Sequence, residues 1–283
     1  MVALIESPVG PRPADTGEQD EIRPRRRRPR IWRGVVLGLA GVYFLIPLYA
    51  ALRFALGGPT GGLTFAAFRS IPSQLGFSAA FGLSLRLALV TTVITLALMV
   101  PTAVFVHLRF PQLRRLFDGI TILPIVIPPV VLIVGVLQVA PTFLKGTPYL
   151  LALEYVVLAM PFAYRSLDSG LRAMDLKTLV EAGRSLGARS ISTLLRVVVP
   201  NLRSAILSAT VLTVALVLGE YTMATLDQYQ TFSVWIVYFD ADNARVSVAA
   251  SFMALIVTWV LLMVILSFDL RRTRRSVQAK EAA

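Results

Sequence analysis

The feature that most constrains this chain is a series of long stretches without a charged side chain. Residues 34–52, 87–106, 119–144 and 246–268 contain no Asp, Glu, Lys or Arg. Each can cross a hydrocarbon core of about 30 Å, for which about 20 helical residues suffice. Two further apolar runs carry one acid each: residues 146–164 with Glu154, and residues 204–226 with Glu220. A soluble domain could bury one or two such runs, but not six. Charged residues make up only 16% of the chain, where about 25% is usual for a soluble domain. Mean hydropathy is +0.71. The expected fold class is therefore all-α, a polytopic membrane protein of six transmembrane helices.

The same inventory removes several kinds of chemistry. With no Cys, disulfides and thiolate-held metals are excluded. A lone histidine, His107, excludes a multi-His metal centre, and the 16 acids are too scattered to form a metal cage. No catalytic pair stands at membrane depth, which argues against an intramembrane enzyme. No pore-loop or charged-ring pattern supports a channel. The phosphate-binding motif G-x-x-x-x-G-K-[ST] is missing as well, so the chain is expected to be neither an ATPase nor any other enzyme.

Basic residues give the expected topology. Of the 28 Lys and Arg, 23 fall in four segments that lie on one side if the chain crosses six times. These are the N-terminal tail, the loop with Arg109, Arg114 and Arg115, the connection from Arg165 to Arg203, and the C-terminal tail. Positive-inside bias places both termini in the cytoplasm, and the location is a multi-pass protein of the cell (inner or plasma) membrane. The arginine run at residues 23–30 would suit nucleic acid in isolation. Next to a span it is read as an anchor on anionic lipid, with no nucleic-acid partner. The expected organisation is a disordered basic tail over residues 1–30, a permeation domain over 31–270, and a cytoplasmic tail over 271–283. The external loop at 227–245, with Tyr229, Phe232, Trp235, Tyr238 and Phe239, has the composition of an interfacial aromatic belt.

The cytoplasmic connection, about residues 170–203, carries the most information. Thr178 followed by Glu181 fits a capping box, in which each side chain satisfies an orphan N–H at a helix start. Gly187 is placed to end that helix in a left-handed conformation. A second helix, about residues 190–198, then runs into Pro200. Two short helices around a glycine turn form a knob that another protein could grip.

This segment resembles the EAA loop of ABC-importer permeases, Glu-Ala-Ala, three residues, Gly, nine residues, Ile, one residue, Leu-Pro. Here the pattern reads Glu181, Ala182, Gly183, then Gly187, then Val197, Val199 and Pro200, with every spacing kept. Gly183 replaces the second Ala, and Val replaces Ile and Leu. SLGA at residues 185–188 and LPIVIPPVVLIVGVL at 123–137 are similar to permeases for polyamines, 2-aminoethylphosphonate, Fe(III) and thiamine. The resemblance implies the type I ABC importer permease fold and a subunit that forms half of a translocation pathway. It also implies several partners: a second permease subunit, identical or different, a cytoplasmic ATPase dimer that binds ATP and Mg, and an extracytoplasmic substrate-binding protein. The loop would be the coupling element. The substrate expected on this basis is a small polar solute, a polyamine first, with 2-aminoethylphosphonate, Fe(III) or thiamine as alternatives.

Ionisable groups at membrane depth are costly and point to a pathway or a buried ion pair. Arg86, Glu154 and Glu220 all fall in the outer half of their spans. The expectation favours a bridge from Arg86 to one acid, with Glu220 facing a cationic substrate as the alternative. Pro124, Pro128 and Pro129 mark a helix break in the third span, since each removes a backbone donor.

Overall fold

A computed structural model describes residues 31–58, 61–240 and 243–281; the basic tail read at residues 1–30 lies outside them. The chain forms two units, residues 1–47 and 48–283. The described part of the first is the start of helix α1 (Ile31–Ala55), where Leu37, Tyr43 and Phe44 are exposed.

The second unit contains α2 (Ala66–Ser70), α3 (Phe77–Arg109), α4 (Arg114–Val126), α5 (Pro129–Val139) and α6 (Pro148–Arg172). After these come α7 (Leu176–Ser185), α8 (Ser190–Thr193), α9 (Val199–Asn201), α10 (Arg203–Gly219), α11 (Thr222–Leu226), α12 (Phe232–Asp240) and α13 (Ala244–Glu281). No β-strand occurs among the described residues. Four helices are individually long and apolar enough to cross a membrane. Two more candidates are bent pairs: α4 with α5 at 98°, and the segment 190–201 with α10 at 78°. Counting each pair as one span gives up to six.

The first bend follows from sequence. Pro128 and Pro129 leave Ile127 and Pro128 extended, at ψ 125° and 134°, and α5 starts afresh with Pro129 in its first turn. Eleven residues of α5 rise roughly 16 Å, too little to cross alone. The helix break read from the sequence thus falls at Pro128 and Pro129. Pro124 departs from that expectation, lying inside α4 without ending it. The fifth span ends early too. α10 stops at Gly219, Glu220 is extended, and α11 is a separate short helix. The sixth continues as helix through the basic C-terminal residues to Glu281.

Helices α3, α6 and α10 pack together at the centre of this unit. In α3 the buried stripe mixes Ala80, Ser84, Ala88, Thr91, Thr95 and Ala103 with Leu87, Met99, Val100 and Val104, whereas Leu89, Val93 and Phe105 face outwards. The small and hydroxyl-bearing residues on the inner face suit helices that meet in lipid, where close backbone approach replaces the hydrophobic effect. Gly170 of α6 lies close against Ala205 of α10, where a Cβ on the glycine would stand 2.5 Å from the Ala205 Cβ. At the far end of the bundle from the α6–α10 loop, Phe77 and Phe81 of α3 meet Phe232, and Trp235 stacks on Phe232 and Phe239. Phe232 and Trp235 are buried. The expected aromatic belt is therefore corrected: α12 folds these rings inwards as packing, and Tyr238 stays exposed.

Candidate functional site

The α6–α10 loop is rigidly built. Asp175 begins α7: its Oδ1 accepts from the Thr178 N–H (3.3 Å), and the Thr178 hydroxyl donates to its Oδ2 (2.7 Å). These bonds hold the Asp175 carboxyl below the usual carboxylate range. The capping box expected from Thr178 and Glu181 is thus corrected. The helix starts three residues earlier, the Thr178 hydroxyl is already engaged, and Glu181 is an exposed mid-helix residue. Asp175→Ala is expected to speed amide exchange in the first turn of α7 several-fold, because the cap is lost, while Glu181→Ala leaves that exchange unchanged. Hydrogen exchange over residues 176–180 checks both.

The other end of α7 agrees with expectation. Gly187 has φ +77°. Its N–H donates to the Arg184 carbonyl at 2.8 Å, and the Ala188 N–H donates to the Gly183 carbonyl at 3.0 Å. This pair of bonds is a Schellman motif, which satisfies the last carbonyls of the helix. Gly183 also has a packing reason. A Cβ there would stand 3.1 Å from Thr193 Cγ2 and 3.2 Å from its Oγ1, so the glycine lets α8 close against α7. Beyond Thr193, residues Leu194–Val198 form a π-turn before Pro200. Pro200 has no N–H to donate, and the Asn201 side-chain amide donates to the Val197 carbonyl at 2.7 Å. Leu176, Val180, Val198 and Leu202 join the core of α3, α6 and α10. Val197 and Val199 are half-buried, Ala182 is exposed, and Leu186, Ile191 and Leu195 are left bare.

The intramembrane acids have other partners than expected. Glu220 accepts from the Tyr155 hydroxyl (2.9 Å) and from the Met223 and Ala224 N–H groups (2.8 and 3.2 Å). Its carbonyl accepts from the Ser233 hydroxyl. It therefore ties α6, α11 and α12 together where α10 ends. Glu154 is buried, with no donor on either carboxylate oxygen, and the carboxyl facing it is that of Asp227. Asp175, Tyr155, Thr193 and Asp227 were not singled out from sequence. Asp175, one turn ahead of Thr178 on the same run, is the one whose signal was there to find.

With this architecture in place, known proteins bear on the chain. A probable molybdenum ABC transporter permease protein of Haloferax volcanii is 30% identical over 229 residues, 75% of this chain and 82% of that protein. The chain belongs to the ABC transporter permease family. No family model matches it. The permease fold also resembles that of a bacterial alginate ABC transporter solved with a periplasmic protein bound to alginate pentasaccharide (TM-score 0.62, 18% identity), over 87% of this chain and 95% of that one. A second structure, of a bacterial ABC transporter that imports the acidic polysaccharide alginate, matches with TM-score 0.61 and 18% identity over 87% and 96%.

In this permease Arg86 pairs with neither acid, so the expected bridge is corrected. The ion pairs among the described residues lie elsewhere. Arg86 sits two positions from both Ser84 and Ala88, roughly opposite the buried stripe of α3 at 3.6 residues per turn. It is exposed and lines a cleft of about 110 Å³ with Leu87, Val90, Pro148, Tyr149 and Ala152.

Proposed function

We propose that this chain is the membrane-spanning permease subunit of an ATP-driven importer, and that the solute is a small oxyanion, molybdate foremost. It works with a second permease subunit, a pair of cytoplasmic ATPase subunits and an extracytoplasmic binding protein. The observation that carries this reading is the α6–α10 loop, whose EAA-like spacing coincides with a Schellman turn at Gly187, a packed inner face and a bare apolar outer one. The outer face, with Leu186 and Ile191, is suited to a cleft in an ATPase subunit. Closure of the ATPases around ATP would push the loop as a rigid body, and the shared core carries that push into α3, α6 and α10.

Molybdate is favoured over a polyamine because the relative from Haloferax volcanii, similar over most of both chains, bears a molybdenum assignment. Among the other solutes, 2-aminoethylphosphonate carries an oxyanion as molybdate does and is the second choice. The test is reconstitution with the cognate ATPase, second permease subunit and binding protein, followed by uptake from binding protein loaded with molybdate, 2-aminoethylphosphonate or spermidine. ATP-dependent molybdate uptake, with no ATP hydrolysis by the permease alone, is the expected result. Uptake of spermidine without molybdate would overturn the substrate assignment.

A further inference from the structure

At the root of the α6–α10 loop, four charged or titratable side chains from three helices meet. Asp168 of α6 is 8% exposed, and its two oxygens look in different directions. Oδ1 faces Nε2 of the buried His107 on α3 at 3.1 Å, and Oδ2 accepts from Nε of Arg172 at 2.7 Å. Arg172 has a second carboxylate within reach: its Nη2 lies 3.8 Å from Oδ2 of Asp118 on α4. The Arg172 side chain is half exposed, and Arg172 is the last residue of α6, with only residues 173–175 between it and α7. His107 is held from its other side, where Nδ1 is 2.9 Å from the Ala103 carbonyl, and Arg114 donates to the His107 carbonyl at 3.5 Å.

One guanidinium between two carboxylates, at the point where the α6–α10 loop joins a packed helix, is placed to take two discrete arrangements. In the one described here, Arg172 is bound to Asp168 at 2.7 Å while Asp118 lies 3.8 Å away. In the other, Arg172 would be bound to Asp118 and Asp168 would be released. Coupling between distant sites requires an element of this two-state kind, biased by what happens at one end. We propose that Asp168, Arg172 and Asp118 form the positioning switch that converts displacement of the loop into rearrangement of the spans. Arg172 would exchange Asp168 for Asp118 during each transport cycle. This inference rests on the reading of the chain as an ATP-coupled permease.

The test uses the reconstituted complex with its ATPase and binding protein. ATP hydrolysis without binding protein and solute imported per ATP are measured for Asp168→Asn, Asp118→Asn and Arg172→Gln. Each Asp→Asn change removes one of the two arrangements, so the two variants should shift hydrolysis in opposite directions, each by about 2- to 30-fold. Arg172→Gln, which loses both, should lower solute imported per ATP while assembling normally, since its side chain is half exposed. A purely structural ion pair would instead lower the amount of assembled complex and leave solute per ATP unchanged. If buried Asp168→Asn fails to assemble, Asp118→Asn and Arg172→Gln carry the comparison. Wild-type solute per ATP in both would overturn the proposal, as would Asp→Asn variants that shift hydrolysis in the same direction. A wild-type complex that imports nothing with ATP would count against the functional reading itself, independently of the switch.

Discussion

Gly170→Ala is expected to cut the yield of folded permease sharply, and Ala205→Gly in the same chain is expected to restore most of it. A Cβ at position 170 would stand 2.5 Å from the Ala205 Cβ and 3.1 Å from Leu202 Cδ2. Ordinary carbon–carbon contact is about 3.5–4.0 Å, so α6 and α10 would have to separate by about 1 Å. The Leu202 methyl can turn aside, but the Ala205 Cβ cannot, because it is fixed to the backbone of α10. Overpacking of this kind typically costs about 1–3 kcal/mol. In lipid the loss spreads along the whole crossing, since helix association there depends on close backbone contact. Removing the opposing Cβ addresses the clash directly, and a general loss of helix propensity would not be rescued that way. Detergent extraction with size-exclusion chromatography of the two single variants and the double variant measures the effect. A normal monodisperse yield from Gly170→Ala would show that the helices do not cross this closely.

That crossing also illustrates what could and could not be read from the residues alone. The apolar runs were legible because a charge-free stretch of helical length has few other fates, and the break at Pro128–Pro129 because proline cannot continue a hydrogen-bonded turn. Depth was legible for Arg86, but not direction around the helix. A bridge to Glu154 or Glu220 needed Arg86 on the same face as Ser84, Leu87 and Thr91, and it lies off that face. Had the small and hydroxyl residues of α3 been taken as the inner stripe, as lipid-embedded packing dictates, the position of Arg86 would have followed. The start of α7 was missed for another reason. Asp175 and Thr178 both fit a cap, three residues apart, and the pattern with Glu181 drew the choice to the wrong one. In the joint of His107, Asp168 and Arg172, the pair four residues apart on α6 had a local signal, but His107 and Asp168 are far apart in sequence, and only the packing of α3 on α6 brings them to 3.1 Å.

Substitution of Gly187 is expected to rank Asn as mildest, Ala as intermediate and Val as most severe, with import abolished in Gly187→Val although membrane insertion stays normal. The ranking follows from the cause of the strain. Nothing lies within 4 Å of a Cβ built at Gly187, so space is not limiting, while φ is +77°. The left-handed region costs an L residue about 1–2 kcal/mol, less for Asn, and it is a genuine outlier for a β-branched side chain. If steric room decided the outcome, Asn would be worse than the smaller Ala. If conformation decides, Asn is better despite its size. Unwinding the turn would release the bonds from Gly187 to Arg184 and from Ala188 to Gly183, and Ser190 onwards would lose its fixed angle to α7. The spans do not depend on that angle, which is why insertion should survive. The permease's grip on the ATPase does depend on it, under the proposed function. Co-purification of the ATPase and ATP-dependent uptake, measured across Gly187→Asn, Gly187→Ala and Gly187→Val, decide the matter. Unaltered co-purification and uptake in Gly187→Val would mean that the loop lies on lipid and grips nothing.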